Sequence, residues 1–352
     1  MKKLLCVLLC AVMLLTAIIP AAAAAQYPKT VSEPVRIIDG IGEMIRQLAC
    51  MANFKRKYEN CKPLCDIPGL EGGFVPQGFC YIDSKDMFAI TYYGTNDENS
   101  VISLIDASTG ERVKTVSLLY EDGTPCKAHA GGIADIGDSL LVSAGKSVRR
   151  LKLEAVLGAE DYSEIAFCGK LSTHMQASYV CSYENTLFIG QYYNFTLDGS
   201  YDTPVEQRVY TPSGKRHYAM CETYDMSNMD AVFEKGEAVP TAALSMPDCV
   251  QGIAYDGETL TLSISAGPFA VSPLKRYELK DFETEWSINL GGNDVPLVFI
   301  DKDRLVSSVK QPPMMEGIDC YNGRIAGIFE SGANKFGYAL VRTPYVCDLG
   351  SY

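Results

Sequence analysis

Glutamine and glutamate recur at one kind of place in this chain. Gln77, Gln251 and Glu316 each stand directly before a glycine that opens a short apolar run, and His129 and Gln176 stand slightly before two similar runs. Glu330 follows in the last of these units, and tyrosines cluster at Tyr92, Tyr93, Tyr192 and Tyr193. If these places converge, two chemistries are coherent. In one, a divalent cation, calcium by its taste for oxygen, sits on Glu316 or Glu330 and amide oxygens, polarises a carbonyl and generates hydroxide. In the other, His129 acts as general base or acid with Glu316 orienting it. Two widely separated carboxylates also suggest glycoside hydrolysis, but no sugar-binding aromatic platform accompanies them. A plainer role needs no ligand: polar residues at the axis of a narrow wet channel satisfy backbone groups and water.

Convergence depends on the elements that carry these residues. From residue 62 the chain consists of short β-branched and aromatic runs broken by Gly, Asp and Asn, which predicts an all-β domain. Five segments align: VPQGFCYIDSKDMFAITYY, HAGGIADIGDSLLVSAG, MQASYVCSYENTLFIGQYY, CVQGIAYDGETLTLSIS and MMEGIDCYNGRIAGIFESG. Each is a small residue, an apolar strand, a polar turn and a second strand; Gly78, Gly132, Ser178, Gly252 and Gly317 are taken as equivalent. A third strand follows in each, as SVISLID, SVRRLKL, RHYAMCETY, SPLKRYEL and YALVRTPY. Such repetition predicts a β-propeller, with few exposed edges. Five blades are expected, or six if residues 281–310 hold further strands. A strand near Leu64 to Pro68 must join the last blade to close the ring.

In a propeller the first strand of a blade begins at one mouth of the channel and the second returns there. Gln77, Gln251, Glu316, His129 and Gln176 therefore share a face with the loops between second and third strands, which carry Tyr93, Tyr193 and Glu330. The expected ligand site is Gln77, Tyr93, His129, Gln176, Tyr193, Gln251, Glu316 and Glu330, with Glu316, Glu330 and His129 as catalytic candidates. A mouth with aromatic walls and few polar groups suits a small molecule, glycan or peptide. The long third-unit loop, residues 192–215, is placed to lie over it as a lid.

Residues 1–25 read as a cleaved signal peptide: Lys2 and Lys3, an apolar run, then Ala23 to Ala25. The mature chain is expected outside the cell, its formal charge falling from −12 to −14 as the two lysines leave. That disfavours nucleic acid and anionic membrane as partners. No later apolar run has the roughly 20 residues a membrane helix needs. Within residues 26–61, apolar positions from Val35 to Phe54 follow a helical period, with Ser32 as N-cap and Lys55, Arg56 and Lys57 at the far end. This amphipathic helix is expected to dock on the propeller of residues 62–352, the alternative being association with the cell envelope. Of 13 cysteines, Cys6 and Cys10 leave with the signal; the odd remainder means at least one unpaired or intermolecular thiol. G-x-S-x-G, H-E-x-x-H, P-loop and C-x-x-C motifs are absent.

Together VPQGF, HAGGIA, ASYV, VQGIA and MEGI…ESGA resemble a family of secreted bacterial β-propellers, in the broad superfamily of gluconolactonase-like and NHL-type propellers. The resemblance spans roughly residues 64–345. Gluconolactonase-like enzymes hold a divalent metal at the channel mouth through a Glu, Asn residues and an Asp. The resemblance puts Glu316 in the place of that Glu, with no match for the other ligands. NHL-type relatives instead form interaction surfaces.

Overall fold

The computed structural model describes residue 58, residues 60–194 and residues 203–351. The expected signal peptide, the amphipathic helix up to residue 57 and the centre of the presumed lid, residues 195–202, lie outside the described residues.

Twenty strands form five four-stranded blades around a channel. Blade 1 is Phe74–Ile82, Met87–Gly94, Val101–Asp106 and Arg112–Leu119, in order from the axis outward. Blade 2 is Ile133–Ile136, Ser139–Ser143, Ser147–Lys152 and Gly169–Ser172. Blade 3 is Tyr179–Tyr183, Thr186–Gly190, Ala219–Asp225 and Ala242–Met246. Blade 4 is Val250–Tyr255, Thr259–Ile264, Ser272–Glu278 and Leu305–Gln311. Blade 5 takes Met315–Tyr321, Arg324–Phe329 and Tyr345–Gly350 from the C-terminal part of the chain. Its outermost strand, Lys62–Asp66, comes from the start of the domain and pairs antiparallel with Tyr345–Gly350, closing the ring as the sequence predicts.

Residues 281–310 do hold extra strands, but they build no sixth blade. Asn293–Phe299 adds parallel to the fourth strand of blade 3 and hairpins with Ser287–Leu290, and Leu305–Gln311 completes blade 4. The third strand of blade 5 departs from expectation. YALVRTPY, residues 338–345, is apolar enough for a strand, yet it is coil until Tyr345. The Arg342 guanidinium donates to the Ser331 and Gly332 carbonyls and fastens this segment to the preceding turn instead.

Alternating side chains on each blade point toward its two neighbours, so the core divides into one apolar cluster per blade interface. Ile82 and Leu140 lie between blades 1 and 2, Ile136 and Leu187 between 2 and 3, and Phe188 and Leu260 between 3 and 4. Ala254 and Ile318 lie between 4 and 5, and Phe88 and Ile328 between 5 and 1. Near the axis the first strands nearly touch. A Cβ on Gly317 would fall 2.4 Å from the Phe79 backbone nitrogen, and one on Gly132 would fall 2.5 Å from that of Val180. In four of the five first strands the recurring glycine permits this approach, and it fixes where the residue before it must lie.

Candidate functional site at the channel mouth

Strand register defines two tiers of side chains. Phe79 pairs with Ile90, Ile133 with Val142, Val180 with Ile189 and Ile253 with Leu262, at matching places in blades 1 to 4. By this register Tyr179, not Ser178, occupies the place of Gly78, Gly132, Gly252 and Gly317. The reason is on the neighbouring strand: a Cβ on Gly190 would lie 1.9 Å from the Tyr179 ring, so a missing side chain there admits the ring. The inner tier is therefore Gln77, Gly131, Ser178, Gln251 and Glu316. Where this tier is small, in blades 2 and 3, His129 and Gln176 reach in from two residues upstream. Ends of the second strands supply the outer tier, with Tyr93, Tyr192, Ser265 and Glu330. The last two correspond, since Ser265 N–H donates to the Cys249 carbonyl as Glu330 N–H donates to that of Met314.

A cavity of about 310 Å³ opens here, lined by Gln77, His129, Gln176, Gln251, Glu316 and Glu330, with Ser178, Tyr192, Asn194 and Ser265 beside them. All five blades contribute. Two other expected residues stand behind the lining. Tyr93 stacks on His129, ring centres 4.3 Å apart, and Tyr193 stacks on Tyr218 at 5.0 Å within the core between blades 3 and 4. Tyr92 is likewise a core residue, whereas Tyr192 faces the cavity. Sequence reasoning missed Ser178 as a lining group, and also Asn194, Ser265 and Lys335, whose loops carry no spacing signal.

The hydrogen bonds fix much of the site's protonation. Gln77 Nε2 donates to the Pro76 carbonyl at 2.8 Å and to Glu330 Oε1 at 2.5 Å. With both its hydrogens so used, the Gln77 amide oxygen must accept, and His129 Nε2 is its donor. Neutral His129 thus carries its proton on Nε2 and keeps Nδ1 as an acceptor. Lys335 Nζ lies 4.7 Å above the Tyr93 ring and donates to a tyrosine hydroxyl, that of Tyr93, at 2.7 Å. Gln251 Nε2 donates to Glu316 Oε1 at 2.9 Å, and Ser263 Oγ donates to the Glu316 carbonyl at 2.6 Å. Asn194 Nδ2 donates to Tyr192 Oη at 3.0 Å. Ser178 Oγ is buried with no partner among the described residues.

Burial and the Glu330 charge push the Glu316 carboxyl well above its usual range, against the opposing hydrogen bond from Gln251. Burial raises Glu330 to about 7, offset in part by Gln77 and Lys335. Burial within the mouth, with Lys335 nearby, pulls His129 down, although the ring keeps surface on the cavity. The mouth thus shifts both carboxyls toward the neutral form, Glu316 further than Glu330, and holds His129 toward its uncharged form. Two carboxyls of unequal proton affinity are the components of an acid and a base.

The donor set fits a lactonase-type cation poorly. Gln77 and Gln251 turn N–H groups, not oxygens, toward the carboxylates, and no cluster of three or more His, Cys, Asp or Glu suited to a metal occurs among the described residues. His217, on the short strand Arg216–His217, is buried and its Nδ1 lies 2.9 Å from Ser245 Oγ, away from the mouth lining. A second cavity of about 270 Å³ lies at the rim of blade 3, beside Trp286 and Asp303.

No family model matches the chain, and no curated protein matches it. Among solved structures the chain is similar to glutaminyl cyclase of Myxococcus xanthus, 11% identical with a TM-score of 0.42, over 82% of this chain and 92% of that one. It is also similar to hydrazine synthase of Kuenenia stuttgartiensis, 11% identical with a TM-score of 0.36, over 74% of this chain and 58% of that one. Both likenesses are too distant to bear on what the mouth does. The chain is a five-bladed β-propeller by its own strand order.

Proposed function

We propose that the channel mouth binds a small polar molecule, a sugar or the end of a peptide being of suitable size and chemistry. The observation that carries this reading is the convergence of amide, hydroxyl and carboxyl groups from all five blades on one cavity. Amides of Gln176, Gln251 and Asn194 offer donors and acceptors to a bound molecule. Ligand-observed NMR with a library of neutral sugars, amides and short peptides tests it. Compounds that bind the protein are expected to lose binding when Ser178→Trp fills the cavity; hits that bind both proteins equally would remove the mouth as the site.

The unequal carboxyls favour a second reading, acid–base turnover of the bound molecule. Ionised Glu330 takes a proton from water as that water attacks, and protonated Glu316 gives one to the departing atom. A panel of chromogenic esters, lactones and glycosides tests this. Any turnover should rise with pH through about 7 as Glu330 ionises, and Glu330→Gln should abolish it while sparing binding. Turnover that survives Glu330→Gln would exclude this role.

A further inference from the structure

Ring closure brings two cysteines to the same face of blade 5. Cys61 directly precedes the closing strand Lys62–Asp66, and Cys347 lies on the strand it pairs with, opposite Pro63. The two blade faces separate the thiols of this region. Cys61 and Cys347 both join the apolar cluster between blades 4 and 5, with Ile318 and Leu349. Cys65 and Val346 belong to the opposite face, between blades 5 and 1. Interaction with the Cys61 thiol, and then burial, push the Cys347 thiol up. Cys61 keeps partial access to solvent, whereas Cys347 has none.

We propose that Cys61 and Cys347 are a disulfide-forming pair that covalently locks the closing strand into blade 5. The oxidant is a small or protein disulfide, RSSR. Cys61, the accessible partner, loses its proton and its sulfur attacks RSSR, forming a mixed disulfide and releasing one RSH. Cys347 then attacks the Cys61 sulfur, forming the Cys61–Cys347 bond and releasing the second RSH. The two thiol hydrogens and two electrons of the pair end on the two RSH molecules. Because the bond ties the first strand to the last, it encloses nearly the whole propeller and constrains the unfolded chain over its full length. Cys61 is half-buried and open to an oxidant, whereas Cys221 and Cys249 are fully buried.

The test is to incubate the purified protein with oxidised glutathione, alkylate the remaining thiols and map peptides without reduction. A cross-linked peptide joining Cys61 to Cys347 is expected, with a melting temperature that falls by roughly 5–10 °C on reduction. Cys61→Ser should melt at the same temperature with and without reductant, and Cys65→Ser should respond as the parent does. Cys61→Ser is the decisive variant should Cys347→Ala fail to fold, since Cys61 lies outside the strand. Alkylation of both thiols after glutathione treatment would overturn the proposal. So would a bond from Cys61 to another cysteine, or an equal response of Cys61→Ser and the parent to reduction.

Discussion

Replacing Glu330 with glutamine should alter stability in a manner set by pH. In the folded protein burial lifts this carboxyl from its ordinary 4.5 to about 7. Between those values the unfolded chain releases its proton while the folded chain retains it. The folded state is therefore favoured by the neutral carboxyl below pH 4.5, and this contribution is lost as pH rises through about 7. The gap corresponds to about 3 kcal/mol at full effect. Glu330 keeps part of its surface on the cavity, so roughly 1–3 kcal/mol is the working expectation. Glutamine stays neutral throughout and keeps an amide oxygen to accept from Gln77 Nε2, the bond that Glu330 makes at 2.5 Å. Urea denaturation near pH 4.5 and near pH 8 measures the effect. The variant should match the parent at the lower pH and exceed it by roughly 1–3 kcal/mol at the higher. A difference independent of pH, or a parent that gains on the variant as pH rises, would refute burial as the cause of the shift.

Other perturbations test the frame and the site. Gly317→Ala puts a Cβ 2.4 Å from the Phe79 nitrogen, and should lower stability by about 3 kcal/mol or prevent folding. Gly158→Ala, with nothing within 4 Å of its Cβ, should change it by less than about 0.5 kcal/mol. Phe188→Ala, fully buried with its ring 5.2 Å from Tyr255, should cost about 3–5 kcal/mol in urea denaturation. Gln251→Ala should weaken a mouth ligand roughly tenfold by calorimetry, with the melting temperature little changed. Expressed from Met1 in a secreting host, the protein should be recovered outside the cell with an N-terminus just after Ala25; a cell-retained chain that keeps residues 1–25 would remove the signal-peptide reading.

The repeat was legible because the axis demands it. Glycine at 78, 132, 252 and 317 marks where first strands approach too closely for a side chain, and each such strand is followed by an obligatory partner. The exception shows the limit: Ser178 looked equivalent, but the room for Tyr179 is made by Gly190 on another strand, which no local pattern displays. Outer strands were harder to read. Lys62–Asp66 is mostly exposed and Leu305–Gln311 alternates between exposed and shielded positions, so neither carries a strong apolar signal. The apolar run at 338–345 misled because Arg342 binds carbonyls of the preceding turn. Within the site, Gln77, Gln251 and Glu316 could be found by their fixed place before glycine, and His129 and Gln176 by their offset from it. Asn194 and Lys335 sit in loops whose course depends on tertiary contacts. The protonation of Glu316 and Glu330 follows from burial, which is visible only once the blades are closed.

A crystal structure of the protein with a compound identified by the NMR screen tests the central claim most directly. The account predicts the molecule in the channel mouth, hydrogen-bonded to Gln251 or Gln176 and in contact with Glu316. A molecule seated instead in the cavity beside Trp286, with only water in the mouth, would contradict it.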